Sequence, residues 1–154
     1  MSTVAVKGLV AASADDLWRL LTALPRSFPA GDSVEVLTPG PFGPGTAWRE
    51  TRTGPGGSKL AEEFVVLVAE PPRRLVLGSP GDGVDYRITW TLREVRRRRR
   101  RFAAVGVTIH ARPAAPAGRA AAMLLGGLAV RTAEQVLRRE IAALAAAVDR
   151  REAA

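Results

Sequence analysis

Cysteine is absent from this chain of 154 residues, which excludes disulfides, thiolate metal sites and cysteine nucleophiles. Its stability must come from packing. There is one histidine, His110, and metal centres or catalytic triads ordinarily need further ligands or an aligned nucleophile beside it. None flanks it, so no metal and no cofactor are expected, and His110 reads as an exposed strand residue. Long apolar runs are also missing. The most apolar stretch, Ala120 to Val130, contains two glycines and falls short of the roughly 20 residues a membrane span needs. Met1 to Val10 has no basic segment followed by an apolar run and a small-residue cleavage site, so a cytoplasmic protein is expected. Lysine occurs only at Lys7 and Lys59.

Hydrophobic residues make up 47% and charged residues 25% of the chain, the usage of a folded globular protein rather than a disordered one. A chain this long buries about 70% of the surface it exposes when unfolded, and one domain over residues 1–154 is expected. The formal charge is +8, and Arg96 to Arg101 contribute six of it, so the remainder is 8 − 6 = +2. The basicity is local and made of arginine.

Val4, Val6 and Leu9 to Val10 form an opening strand. Ser13 offers a helix N-cap, Asp15 and Asp16 fall in the first turn, and Leu17, Trp18, Leu20, Leu21 and Leu24 supply an apolar face that ends at Pro25. Arg26 to Asp32 reads as a turn or a single helical turn. From Ser33 the apolar period becomes two, giving strands over Ser33 to Leu37, Thr46 to Thr53, Leu60 to Ala69, Arg74 to Leu77, Val84 to Arg93 and Phe102 to Arg112. Turns are predicted at Pro39 to Gly45, Gly54 to Ser58 and Gly78 to Gly83. The clearest alternation puts Val84, Tyr86, Ile88, Trp90 and Leu92 on one face and charged or hydroxyl residues on the other. After Gly118 there is no proline, and Met123, Gly127, Val130, Ala133, Leu137, Ile141, Leu144 and Val148 recur in steps of three and four. That spacing makes a long amphipathic helix, with Glu134, Arg138, Arg139 and Glu140 read as part of its polar outer face and Gly126-Gly127 as a possible bend.

A one-sided apolar sheet and a one-sided apolar helix must cover each other. The expected class is α+β, a curved antiparallel sheet wrapped around a long C-terminal helix with a short helix after the first strand. Three segments carry a resemblance: the opening VAASADDLWRLLT, the turn GPGTAW leading into a strand, and EPPRRLVL. Together with the element order they resemble the START-related SRPBCC helix-grip superfamily, which includes polyketide cyclases and dehydrases and lipid-transport-like proteins. The resemblance covers essentially the whole chain and implies a cavity between sheet and helix. It carries no catalytic motif.

Alternation proposes Trp48, Glu50, Phe64, Val66, Tyr86, Ile88, Trp90, Val107 and Ile109 as inward positions, faced by Leu137 of the helix. Glu50 is a candidate proton donor or acceptor if it lies among apolar neighbours; the alternative is a surface pair with Arg49 or Arg52. Tyr86 could orient a ligand oxygen or serve as an ordinary core tyrosine. Glu62 and Glu63 are adjacent strand residues and so point to opposite faces. The arginine run reads as a solvated hairpin tip. It lacks interleaved aromatics for base stacking, and no specific nucleic-acid role is expected.

The leading expectation is a protein that takes a small hydrophobic or aromatic molecule into the cavity. The alternatives are a cyclase or dehydrase type of enzyme using Glu50 and Tyr86, as the resemblance allows, and an interaction module that binds anionic partners through Arg96 to Arg101.

Overall fold

The computed structural model describes residues 2–24, 33–53, 55–57, 59–81, 83–113 and 128–153. The predicted turn at 26–32, Gly54, Ser58, Met123 and the Gly126-Gly127 pair lie outside the described residues. Strand β1 (Ser2–Val10) leads into helix α1 (Ala14–Thr22), followed by β2 (Ser33–Val36), β3 (Ala47–Thr53), β4 (Lys59–Glu70), β5 (Arg74–Pro80), β6 (Val84–Arg97), β7 (Arg100–Pro113) and helix α2 (Leu128–Ala153). The strands form one antiparallel sheet in the order β1-β7-β6-β5-β4-β3-β2.

The start of α1 is held twice. Ser13 Oγ accepts from the Asp16 backbone N–H at 3.1 Å, and Glu94, reaching over from β6, accepts from the Ala14 N–H at 2.9 Å. Two of the donors that a helix N-terminus leaves unpaired are thereby satisfied, one of them by tertiary structure. Leu17 and Leu21 of α1 are buried, and the helix rests against β6, β7 and α2.

Helix α2 covers the inner face of the sheet through the expected stripe, with Leu137, Ile141, Leu144 and Val148 all buried. Four such side chains contribute on the order of 6 to 12 kcal/mol, comparable with the whole net stability of an ordinary domain. The sheet and helix cannot separate without unfolding. They lie close together at Gly8 on β1, where a Cβ would lie 3.2 Å from Ile141 Cγ2.

Two strand boundaries differ from expectation. Gly78, Ser79 and Pro80 belong to β5 rather than to a turn, pairing with Arg87, Tyr86 and Asp85. The reversal is confined to the segment after Pro80, where the Gly81 N–H donates to the Val84 carbonyl at 2.7 Å. Turn-forming residue types here serve as strand residues because β6 pairs all three and β4 also pairs Gly78.

The arginine run is likewise mostly strand. Arg96 pairs with Arg101 and Arg97 with Arg100, leaving only Arg98 and Arg99 as the turn, at φ 50° and 66°. Two positive φ values in a two-residue hairpin match the right-handed twist of the flanking strands, though the positions favour asparagine and glycine.

Candidate functional site

Between the inner face of the sheet and α2 lies a cavity of about 200 Å³. Its floor follows the ladder register: Ser79 opposite Tyr86, Ile88 between Leu77 and Ile109, and Trp90 opposite Val107. Glu62 and Phe64 of β4 line one side, and Val136, Leu137 and Glu140 of α2 form the roof. Trp90, Leu77, Val107 and Leu137 are buried, while Val136 is 38% exposed and Glu62 is exposed. Those last two stand at the rim. The lining is mainly apolar, with Ser79 and Tyr86 side by side at one end of the floor.

Of the residues the sequence places at the site, Phe64, Tyr86, Ile88, Trp90, Val107, Ile109 and Leu137 line this cavity together. Trp48, Glu50 and Val66 face inward and are buried, but they are not among its lining residues. The reason is local packing. The Trp48 ring stacks on Phe64 with centroids 5.6 Å apart and meets Phe42 at 6.4 Å, so aromatic rings fill that end of the fold.

Glu50 is 2% exposed and accepts a hydrogen bond from Trp48 Nε1 at 3.0 Å. It is not paired at the surface with Arg49. That guanidinium lies on the outer face and bonds Glu63 at 2.6 Å and Glu35 at 3.4 Å. The Glu63 hydrogen bond, with its negative charge, raises the Arg49 pKa above the ordinary arginine value. Glu62 and Glu63 do take opposite faces, Glu62 at the cavity rim and Glu63 outside.

Glu140 departs most clearly from expectation. It was assigned to the polar outer face of the helix, yet it is 8% exposed and lines the cavity. It lies three residues after Leu137 and four before Leu144, which puts it on the buried stripe despite its charge. Glu62, Leu77, Ser79 and Val136 were also not among the expected cavity residues. Three of them were within reach of the alternation argument: Glu62 precedes inward Phe64 by two, and Leu77 and Ser79 follow inward Leu75 by two and four.

His110 sits on the outer face, half-buried, with Nδ1 3.0 Å from Thr3 Oγ1. Among the described residues no three His, Asp or Glu side chains gather where a metal ion could be held, and no helix is long and apolar enough to cross a membrane. Arg96 to Arg101 are all exposed.

No protein-family model matches the chain, and no curated protein matches its sequence. Solved structures do match. Protein CV1439 from Chromobacterium violaceum aligns with a TM-score of 0.66 at 18% identity, over 95% of this chain and 96% of its own. Ara h 8.0201 aligns at 0.65 and 17%, over 96% and 97%. The di-domain ARO/CYC BexL, from the BE-7585A biosynthetic pathway, aligns at 0.54 and 18%, over 94% of this chain and 48% of its own. The chain therefore shares the helix-grip fold of these structures. At these identities the likeness concerns architecture alone.

Proposed function

We propose that the chain binds a small hydrophobic or aromatic molecule, of one to two rings, in the cavity beneath α2. The observation that carries the reading is the cavity volume of about 200 Å³ together with its mainly apolar lining. An apolar cavity of about 150 Å³ is known to take up benzene, so this space suits a ligand modestly larger and is too small for a long acyl chain. Ser79 and Tyr86 stand where a hydroxyl or carbonyl of the ligand would find hydrogen-bond partners.

The test is ligand-dependent thermal stabilisation with 1-naphthol and indole against palmitate. A ligand at about 100 times its Kd adds about 2.7 kcal/mol of stability, which shifts the melting temperature by several degrees. Naphthol or indole should protect and palmitate should not. Protection by palmitate alone, or by none of the three, would overturn the reading.

A second reading, proton-transfer catalysis on the bound molecule, is favoured by one observation: Tyr86 and buried Glu140 line the same cavity. They replace the Glu50 and Tyr86 pair expected from sequence. In this reading Glu140→Gln abolishes turnover of a cyclisable aromatic precursor while naphthol binding persists; turnover unchanged in that variant would remove Glu140 from the chemistry.

A further inference from the structure

The outer face of the sheet carries a second hollow, of about 560 Å³, which meets the inner cavity only at Ser79 and Tyr86. It arises where the ladder is irregular. A bulge in β4 between Val66 and Val68 sets Leu67 on the outer surface, 42% exposed. Across from it stands Gly78, and the Leu67 and Val65 side chains fold over the place its side chain would take; a Cβ there would meet Leu67 Cδ1 at 3.3 Å and Val65 Cγ1 at 3.4 Å. The row Val65, Gly78, Arg87, His110 therefore sets the apolar Leu67 and Val65 side chains on one side of the hollow and a guanidinium on the other. Bulges commonly re-aim a side chain beside a site.

The charges around the hollow are uneven. Arg74 is engaged by Glu70 at 2.9 Å. Arg87 and Arg112 form no ion pair among the described residues, although Asp85 stands opposite Arg112 in the register. Two arginines less one aspartate leave 2 − 1 = +1. His110 adds no charge while neutral. One unit of positive charge beside an exposed leucine complements a single negative charge joined to an apolar body, and suits a phosphate dianion less well because Asp85 repels the second charge.

We propose that this outer hollow binds a small organic monoanion, a carboxylate carried on a ring or short chain. Arg87 and Arg112 hold the carboxylate by charge-assisted hydrogen bonds. The apolar body lies against Leu67 and Val65.

The experiment is calorimetric titration of the whole chain with benzoate at low ionic strength, with benzyl alcohol and acetate as the neutral and ringless controls. Benzoate should bind one to one and more tightly than either control. Its affinity should fall about tenfold in Arg87→Gln. Leu67→Ala, which removes the apolar wall of the hollow, should weaken it, and Val107→Phe, which narrows the inner cavity, should leave it unchanged. The proposal is overturned if benzoate does not bind, if benzyl alcohol binds as well, if Arg87→Gln has no effect, or if Val107→Phe abolishes binding.

Discussion

Filling the inner cavity from its floor is the most direct probe of whether that space is real. Val107 is 0% exposed, lines the cavity and lies opposite Trp90. Val107→Phe adds four carbon atoms, roughly 50 Å³, and each Å³ of empty cavity costs about 24 cal/mol, so the substitution recovers about 1.2 kcal/mol. About three quarters of the 200 Å³ would remain, too little for a bicyclic ligand. The ligand-free variant should therefore melt about 3 °C higher than the parent in a calorimetric scan, while 1-naphthol loses its protective effect. In a solidly packed interior the same side chain would force rotamers and backbone aside and cost about 1 to 3 kcal/mol. A lower melting temperature for Val107→Phe would refute the cavity and the binding reading with it.

Three further outcomes follow from other parts of the fold. Replacing Arg98 by Asn and Arg99 by Gly places in the β6-β7 turn the residues that tolerate positive φ, and should raise stability by about 1 to 2 kcal/mol in urea unfolding; no gain would mean the turn is not strained. Glu94→Ala leaves the Ala14 N–H without its acceptor and should cost about 1 to 3 kcal/mol, at least as much as the roughly 1 kcal/mol expected for Ser13→Ala; a negligible loss would remove the tertiary cap. Gly8→Val pushes β1 against Ile141 and should destabilise by about 1 to 3 kcal/mol, whereas the same change at Gly43, with nothing within 4 Å, should cost far less.

Architecture was largely legible in the sequence because both of its periods are strong: alternation across Val84 to Leu92 and steps of three and four from Leu137 to Val148. Ser13 as an N-cap followed from residue type alone. What was not legible lay where local preference and tertiary context disagree. Gly78 to Pro80 have turn composition yet are paired in β5, since β6 continues the ladder through all three. Arg96, Arg97, Arg100 and Arg101 read as loop on charge, but the strand register carries through them. Glu140 was sorted by its charge rather than by its angle on the helix, and angle decided its position. Glu50 could not be assigned between core and surface because Arg49 sits beside it; the matter turns on Glu63 and Glu35, partners contributed by two other strands. The outer hollow depends on a one-residue bulge, a feature with no compositional signal at Leu67.

The pairing of β1 with β7 has a consequence for synthesis. Ser2 finds its partner in Ala111, so β1 leaves the ribosome well before β7 and must wait for it. At ordinary elongation rates of about 5 to 20 residues per second, that wait is roughly 5 to 20 s. During it the strands from β2 onward can zip as successive hairpins, while β1 offers Val4, Val6 and Val10 to any passing edge. A nascent chain stalled before residue 100 should therefore be the species most prone to aggregate and most dependent on chaperones.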